Sequence, residues 1–284
     1  MNRKLHYRTF VTKQIPQSGR GPLPDGRTRM WSPITSTLIM GRRDAVLVDP
    51  PLTTAQAEDV GDWIAASKRQ LQQIYITHGH GDHWFGAITL RQRFPGATVL
   101  ATEGTIKLME AQNDPEFRAE FWDRVFPGQL PSGELDVSAV DEGLELEGAA
   151  LVPVEVGHTD TDATTMLHVP EMGLLVAGDV VYNGVHLYLT ESGGVTGIDE
   201  WLAALDTAEA LRPATVIAGH KDPNAFNNPA HIQATRRYLT DARQLLESSE
   251  SAEEFYQEML RRHPGRINPG ALWGAAITLL SSRH

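Results

Sequence analysis

The chain has 284 residues, 41% of them hydrophobic and 21% charged, which supplies a large core and argues against general disorder. Its formal net charge is −11, with 25 Lys and Arg scattered against 36 Asp and Glu, so there is no basic stripe of the kind a nucleic-acid binder needs. The absence of cysteine excludes disulfides, thiolate ligands and a cysteine nucleophile.

The opening MNRKLHYRTFVTKQ has basic residues without an apolar run behind them, and no stretch approaches the roughly 18 apolar residues of a membrane span. The expectation is a cytoplasmic chain with no membrane partner. Residues 4–15 predict an early strand, and 16–33 (PQSGRGPLPDGRTRMWSP) a loop. ITSTLIM and AVLVD read as two strands around a turn at Gly41. TTAQAEDVGDWIAASKRQ has helical spacing and threonines able to cap it. LQQIYIT is a third strand that runs into HGHGDHWFG, and a helix follows over about 85–93. ATVLA is strand-like. Residues 103–126 read as helical, broken at Pro115, with Phe117, Phe121, Trp122 and Phe126 directed to the core in preference to a lid. Residues 135–178 are strand-rich. GIDEWLAALDTAEALR is an amphipathic helix, ATVIAG a strand, and 229–282 a helical extension. No repeat or linker is visible. The order predicts one α/β (α+β) domain over 1–284, with helices outside two packed sheets.

His78-Gly79-His80-Gly81-Asp82-His83 places four metal-ligand side chains in six residues, directly after a strand. Imidazole and carboxylate suit zinc and related divalent ions. An extended strand would point them to opposite faces, so Gly79 and Gly81 are expected to free the backbone for a tight loop. His158, Asp179 and His220 each follow an apolar run and a glycine, as in ALVPVEVG, GLLVAG and ATVIAG. If these strands lie side by side, their ends meet the first cluster at one rim.

In these residues the chain resembles the metallo-β-lactamase superfamily. The HxHxDH motif at 78–83 is followed in order by His158, Asp179 and His220, within STLIMGRRDAVLVDP, GHTDTDATTMLHVP, GLLVAGDVVYNG and VIAGHKDP. The likeness covers about 34–225 and leaves the helical C-terminal part aside. It implies an αββα sandwich with two divalent ions at one edge, zinc first and iron or manganese as alternatives. By position, His78, His80 and His158 would hold one ion and Asp82, His83 and His220 the other, with Asp179 bridging. Asp49 resembles a residue that supports the site from behind the ligands, or else serves as a strand-end turn residue.

The resemblance further implies hydrolysis of a small molecule by a metal-bound hydroxide, with Asp82 orienting the water or shuttling its proton. Tyr182, three residues past Asp179, matches a tyrosine of family members that open acyl-homoserine lactones. It is expected to donate to a developing oxyanion. His186 and Tyr188 are candidates for pocket lining. Trp84 and Phe85 are expected to pack, and His6, His168, His231, His263 and His284 have no such context.

The fold hosts many chemistries. An ester or lactone is the preferred substrate. A glyoxalase-II-like thioesterase, a β-lactamase and a phosphoesterase are alternatives, the β-lactamase disfavoured because Tyr182 stands near the place of a common β-lactam-binding lysine. From another class, a mononuclear-iron sulfur dioxygenase shares the ligands, and a metal-free binding module would need them to be vestigial. Homo-oligomerisation is left open.

Overall fold

The computed structural model describes residues 5–140 and 143–281; Lys4, Ser282 and His284 lie outside the described residues. The early strand is β1, His6–Val11. The Pro/Gly/Arg segment that follows has only two two-residue strands, β2 (Ile15–Pro16) and β3 (Met30–Trp31), paired with one another. Next come β4 (Thr35–Met40), β5 (Asp44–Val48), α1 (Thr54–Ala66), β6 (Gln70–Tyr75), α2 (Gly86–Arg93), β7 (Thr98–Ala101) and α3 (Glu103–Gln112). Thr53 caps α1 as its sequence predicts. Its Oγ1 accepts from the Gln56 amide at 3.2 Å, and Gln56 Oε1 accepts from the Thr53 amide at 3.1 Å. Pro115 starts a new helical segment: α4 (Pro115–Phe117), a π-helical turn (Arg118–Trp122) and α5 (Asp123–Val125).

The strand-rich part supplies β8 (Val137–Ala139), β9 (Leu144–Leu146), β10 (Ala149–Gly157), β11 (Thr164–Val169) and β12 (Leu174–Val176). Then follow β13 (Tyr182–Asn183), α6 (Gly194–Ala210), β14 (Thr215–Ile217) and β15 (His220–Lys221). Helices α7 (Ala230–Ser248), α8 (Ala252–Arg262) and α9 (Pro269–Ser281) end the described chain.

Two sheets carry the architecture, in the orders β1-β4-β5-β6-β7-β8 and β14-β12-β11-β10-β9. Strands β5 to β8 run parallel, and β10, β11 and β12 antiparallel. The two-residue side-chain period of a strand divides each sheet between two cores. Ile39, Val46, Val48 and Tyr75 of the first sheet meet Leu151, Leu167, Val169 and Ile217 of the second. Their neighbours Leu38, Leu47 and Ile74 face the other way, onto Val60 and Ile64 of α1 and Ile88 of α2. On the far side, Met166, Leu175 and Val216 pack under Trp201 and Leu205 of α6 and the helices after it. The layers are therefore helix, sheet, sheet, helix, with apolar burial between each pair. Among the described residues no helix is long and apolar enough to cross a membrane.

Candidate metal centre

The strands end at a common rim, and the chemistry-bearing residues follow them. Asp49 comes after β5, His78 to His83 after β6, Asp160 after β10, Asp179 after β12 and His220 at β15. The loop after β6 is tight because another layer presses on it. A Cβ on Gly79 would sit 2.3 Å from Leu108 Cβ, and one on Gly81 2.2 Å from the Phe85 ring. Neither glycine has a positive φ. Close approach, rather than the backbone freedom expected from the sequence, is what requires them.

Seven side chains converge. Ligand atoms of His78, His80 and Asp160 lie within 4.8 Å of one another, as do those of His78, His83 and Asp179, and those of Asp82, His83 and His220. His83 Nε2 is 3.3 Å from both Asp179 Oδ1 and His220 Nε2, and His220 Nε2 is 3.2 Å from Asp179 Oδ2. Asp160 Oδ2 lies 2.9 Å from His80 Nδ1 and 3.8 Å from His78 Nε2.

One residue expected among the ligands stands apart from the cluster. His158 turns away: its Nδ1 pairs with Asp162 Oδ1 at 2.6 Å, and its Nε2 faces the start of α6 at Gly197. Strand β10 bulges between Glu155 and Gly157, and Gly157 has φ +79°. That kink turns the next side chain outward, and the turn closed by the Thr159 amide on Thr161 O brings Asp160 inward. The sequence contained a signal for this, the acidic residue two places beyond the histidine in GHTDTD.

The residues fit a metal. Nε2 of His78 is buried without a hydrogen-bond partner, and Asp160 Oδ2 and Asp179 Oδ1 are buried with only cluster imidazoles near them, an arrangement that polar groups rarely keep unless something else satisfies them. Each ring directs one nitrogen into the cluster and has the other held from outside. His83 Nδ1 meets Asp49 Oδ2 at 3.3 Å, His220 Nδ1 donates to Pro33 O at 2.8 Å, His78 Nδ1 meets Thr77 Oγ1 at 3.0 Å and His80 Nε2 meets Glu191 Oε2 at 3.4 Å. This is how metal-ligating imidazoles are oriented. Burial pushes the His78 imidazole down to about 4, leaving it in the neutral form a ligand requires. Burial alone would raise the Asp82 and Asp179 carboxyls, but the surrounding histidines hold both well below the usual carboxylate range.

Asp49 supports the site from behind. Buried and at φ +54°, it accepts from the Thr77 amide at 2.9 Å and the Thr77 hydroxyl at 2.8 Å.

A cavity opens over the cluster, with His80, Asp82, Asp179 and His220 in its lining. Its walls come from the N-terminal loop, from Phe121 and Trp122 and from α9. The aromatic run is thus divided: Phe126 lies in the core, Phe117 is partly exposed, and Phe121 and Trp122 line the cavity. Trp84 and Phe85 pack, Trp84 donating its indole N–H to Gly79 O at 2.9 Å.

Two other expectations need correction. Tyr182 is fully buried outside the cavity lining, and its hydroxyl donates to Asp179 Oδ2 in place of pointing into the cavity. His186 is also buried away from the cavity, with Nδ1 3.0 Å from the Tyr238 hydroxyl; Tyr188 is the one that lines it. Sequence reasoning missed Trp31, whose indole N–H donates to Asp82 Oδ2 at 2.8 Å, and Glu191, which joins Tyr188 to His80.

Burial, aided by the charge of Arg266, holds His186 down to about 3. The unfolded chain therefore takes up a proton near pH 6.5 that the folded one refuses, and the contribution of this group to stability falls as pH drops from there toward 3. Between pH 6.5 and 5 this group accounts for about 2 kcal/mol. Urea unfolding of metal-free protein should show a shallower pH slope in His186→Asn; parallel slopes would refute it.

Histidines and carboxylates gathered from both sheets at one rim of an αββα sandwich define a metal-centre protein of the kind that carries out metal-dependent hydrolysis. The chain belongs to the metallo-beta-lactamase superfamily, whose family model matches residues 29–220. A metallo-beta-lactamase family protein of Thermus thermophilus has the same fold, with a TM-score of 0.64 at 19% identity, covering 97% of this chain and 93% of that one. The mono-zinc form of the metallo-beta-lactamase FIM-1 from Pseudomonas aeruginosa aligns with a TM-score of 0.56 at 18% identity, over 84% of this chain and 92% of that one. Among sequence relatives, a hydroxyacylglutathione hydrolase of Francisella tularensis is 36% identical over 67 residues, 24% of this chain and 25% of its own. An uncharacterized protein of Synechocystis is 31% identical over 105 residues, 36% of this chain. The match spans only 19% of that protein's length.

Proposed function

We propose that the protein is a dinuclear-metal hydrolase of small-molecule esters or lactones. The observation that carries this reading is the seven-residue cluster, four of whose members line a cavity walled by aromatic and polar side chains. His78, His80 and Asp160 would hold one ion, Asp82, His83 and His220 the other, and Asp179 lies beside both groups. Zinc suits this nitrogen and oxygen donor set. Two such ions, when bound, supply a nucleophilic water of lowered pKa and polarise the scissile carbonyl.

The chain's own residues do the rest. Trp31, His83 and His220 face Oδ2 of Asp82, so Oδ1 is the oxygen that takes the proton of an attacking water. Tyr182 fixes Asp179, and Asp49 fixes His83. Phe121, Trp122 and Trp31 exclude bulk water from one side of the cavity. Thioesters are the second reading, favoured by the stretches shared with hydroxyacylglutathione hydrolases.

Elemental analysis combined with a screen of lactones, oxygen esters, thioesters, phosphoesters and β-lactams tests the proposal. About two zinc per chain with lactone or ester cleavage is the expected result. One iron per chain, with oxygen uptake and no hydrolysis, would replace it with the dioxygenase.

A further inference from the structure

Two arginines, Arg20 and Arg29, line the cavity over the cluster, which is unexpected in a chain of net charge −11. Arg29 projects from the N-terminal loop and is only 7% exposed. Its Nη2 donates to Gly270 O at 3.0 Å, and its Nε has no partner. The first turns of α9 are cut away to admit it: a Cβ on Gly274 would sit 2.6 Å from Nη2. Arg20, in the same wall, lies with its guanidinium carbon 4.9 Å from the Phe121 ring centre, and its buried Nε is also unpartnered. Among the described residues neither arginine has a carboxylate within ion-pair distance, whereas Arg236, Arg243 and Arg262 all do. Glu191, a carboxylate of the same lining, is engaged by Tyr188 at 2.8 Å and by His80. Burial, together with the charge of Arg20, makes Arg29 hold its proton less firmly, as expected of two cations brought together without a counter-charge.

A buried guanidinium with an unmet N–H is costly, and arginine's planar fork matches a carboxylate. We propose that Arg20 and Arg29 recognise a carboxylate on the substrate, so that the ester or lactone cleaved at the cluster is an anionic one with an apolar or aromatic part lying along Phe121 and Trp122. This deepens the hydrolase reading and rests on it.

The test uses a matched pair, the 4-nitrophenyl monoester of glutaric acid and its terminal carboxamide, with the zinc-loaded protein. We expect kcat/KM to favour the anionic ester by about tenfold or more, through KM. That ratio should fall toward one in Arg20→Gln and Arg29→Gln and be partly kept in Arg29→Lys. Quenching of Trp31 and Trp122 fluorescence by phenylacetate against phenylacetamide, in metal-loaded and metal-free protein, reads the same preference without turnover. Should Arg29→Gln fail to fold, Arg20→Gln and Arg29→Lys carry the comparison. A ratio near one in the native protein for both probe pairs, or one unchanged in Arg20→Gln, overturns the proposal. Arginine-dependent binding of phenylacetate with no ester cleaved would support it while refuting the hydrolase reading.

Discussion

Asp160→Ala is expected to strip metal from the group formed with His78 and His80 and to lower hydrolysis by more than about 100-fold, the upper range for losing a residue that merely supports a ligand. His158→Ala is expected to keep its full metal content. The contrast follows from geometry. Asp160 is completely buried, with Oδ2 2.9 Å from His80 Nδ1 and 3.8 Å from His78 Nε2, while His158 lies outside the cluster against Asp162. Plasma emission measurements on the two purified variants decide the matter. If instead His158→Ala lost one ion per chain and Asp160→Ala none, the ligand set proposed above would be wrong and the order read from the sequence restored.

The other large effect is expected at Asp49. Its carboxylate accepts two hydrogen bonds from Thr77 and faces His83, all in buried surroundings, and its backbone is left-handed. Asp49→Ala removes an acceptor from two buried donors and forces a side chain with Cβ but no local hydrogen bond to stay at φ +54°. Together these should destabilise the metal-free protein by about 3 kcal/mol or more. Freed from its carboxylate, His83 should bind metal about 10–100-fold more weakly. Asp49→Asn tolerates the left-handed backbone and can still accept from Thr77, so most of the stability should return while affinity stays reduced. Urea denaturation and titration against a competing chelator separate the two outcomes. Equal affinities in Asp49→Ala and the parent would remove Asp49 from the support of the site.

The strand ends were legible because burial between layers writes apolar runs such as AVLVD, GLLVAG and ATVIAG, and the residues after them must emerge at the rim. Six of the seven proposed metal ligands were visible by that rule. The direction of a side chain beyond a strand end was not, since it depends on a bulge and a single φ, as at Gly157. His158 and Asp160 exchanged places for that reason. Tyr182 was correctly singled out beside Asp179, but only the packing of β13 under α7 shows its hydroxyl turned to that carboxylate, away from the cavity. Arg20, Arg29 and Trp31 left no periodic trace, because the segment that carries them is irregular apart from the two-residue β3, and α9 and the segment around Trp122, far away in sequence, contact it.

The distribution of the cluster among strand ends has a consequence for how the molecule assembles. His83, in the turn after β6, and His220, in the short β15, are 137 residues apart, yet their Nε2 atoms lie 3.3 Å from each other. No short contiguous fragment can reproduce that pair, which requires the chain to close a long loop first. An ion held there binds the docked sandwich and has little hold on partly folded chains. At a thousandfold excess over its dissociation constant it would add about 4 kcal/mol, all of it against global opening. Metal uptake during refolding should therefore track the joining of the two sheets.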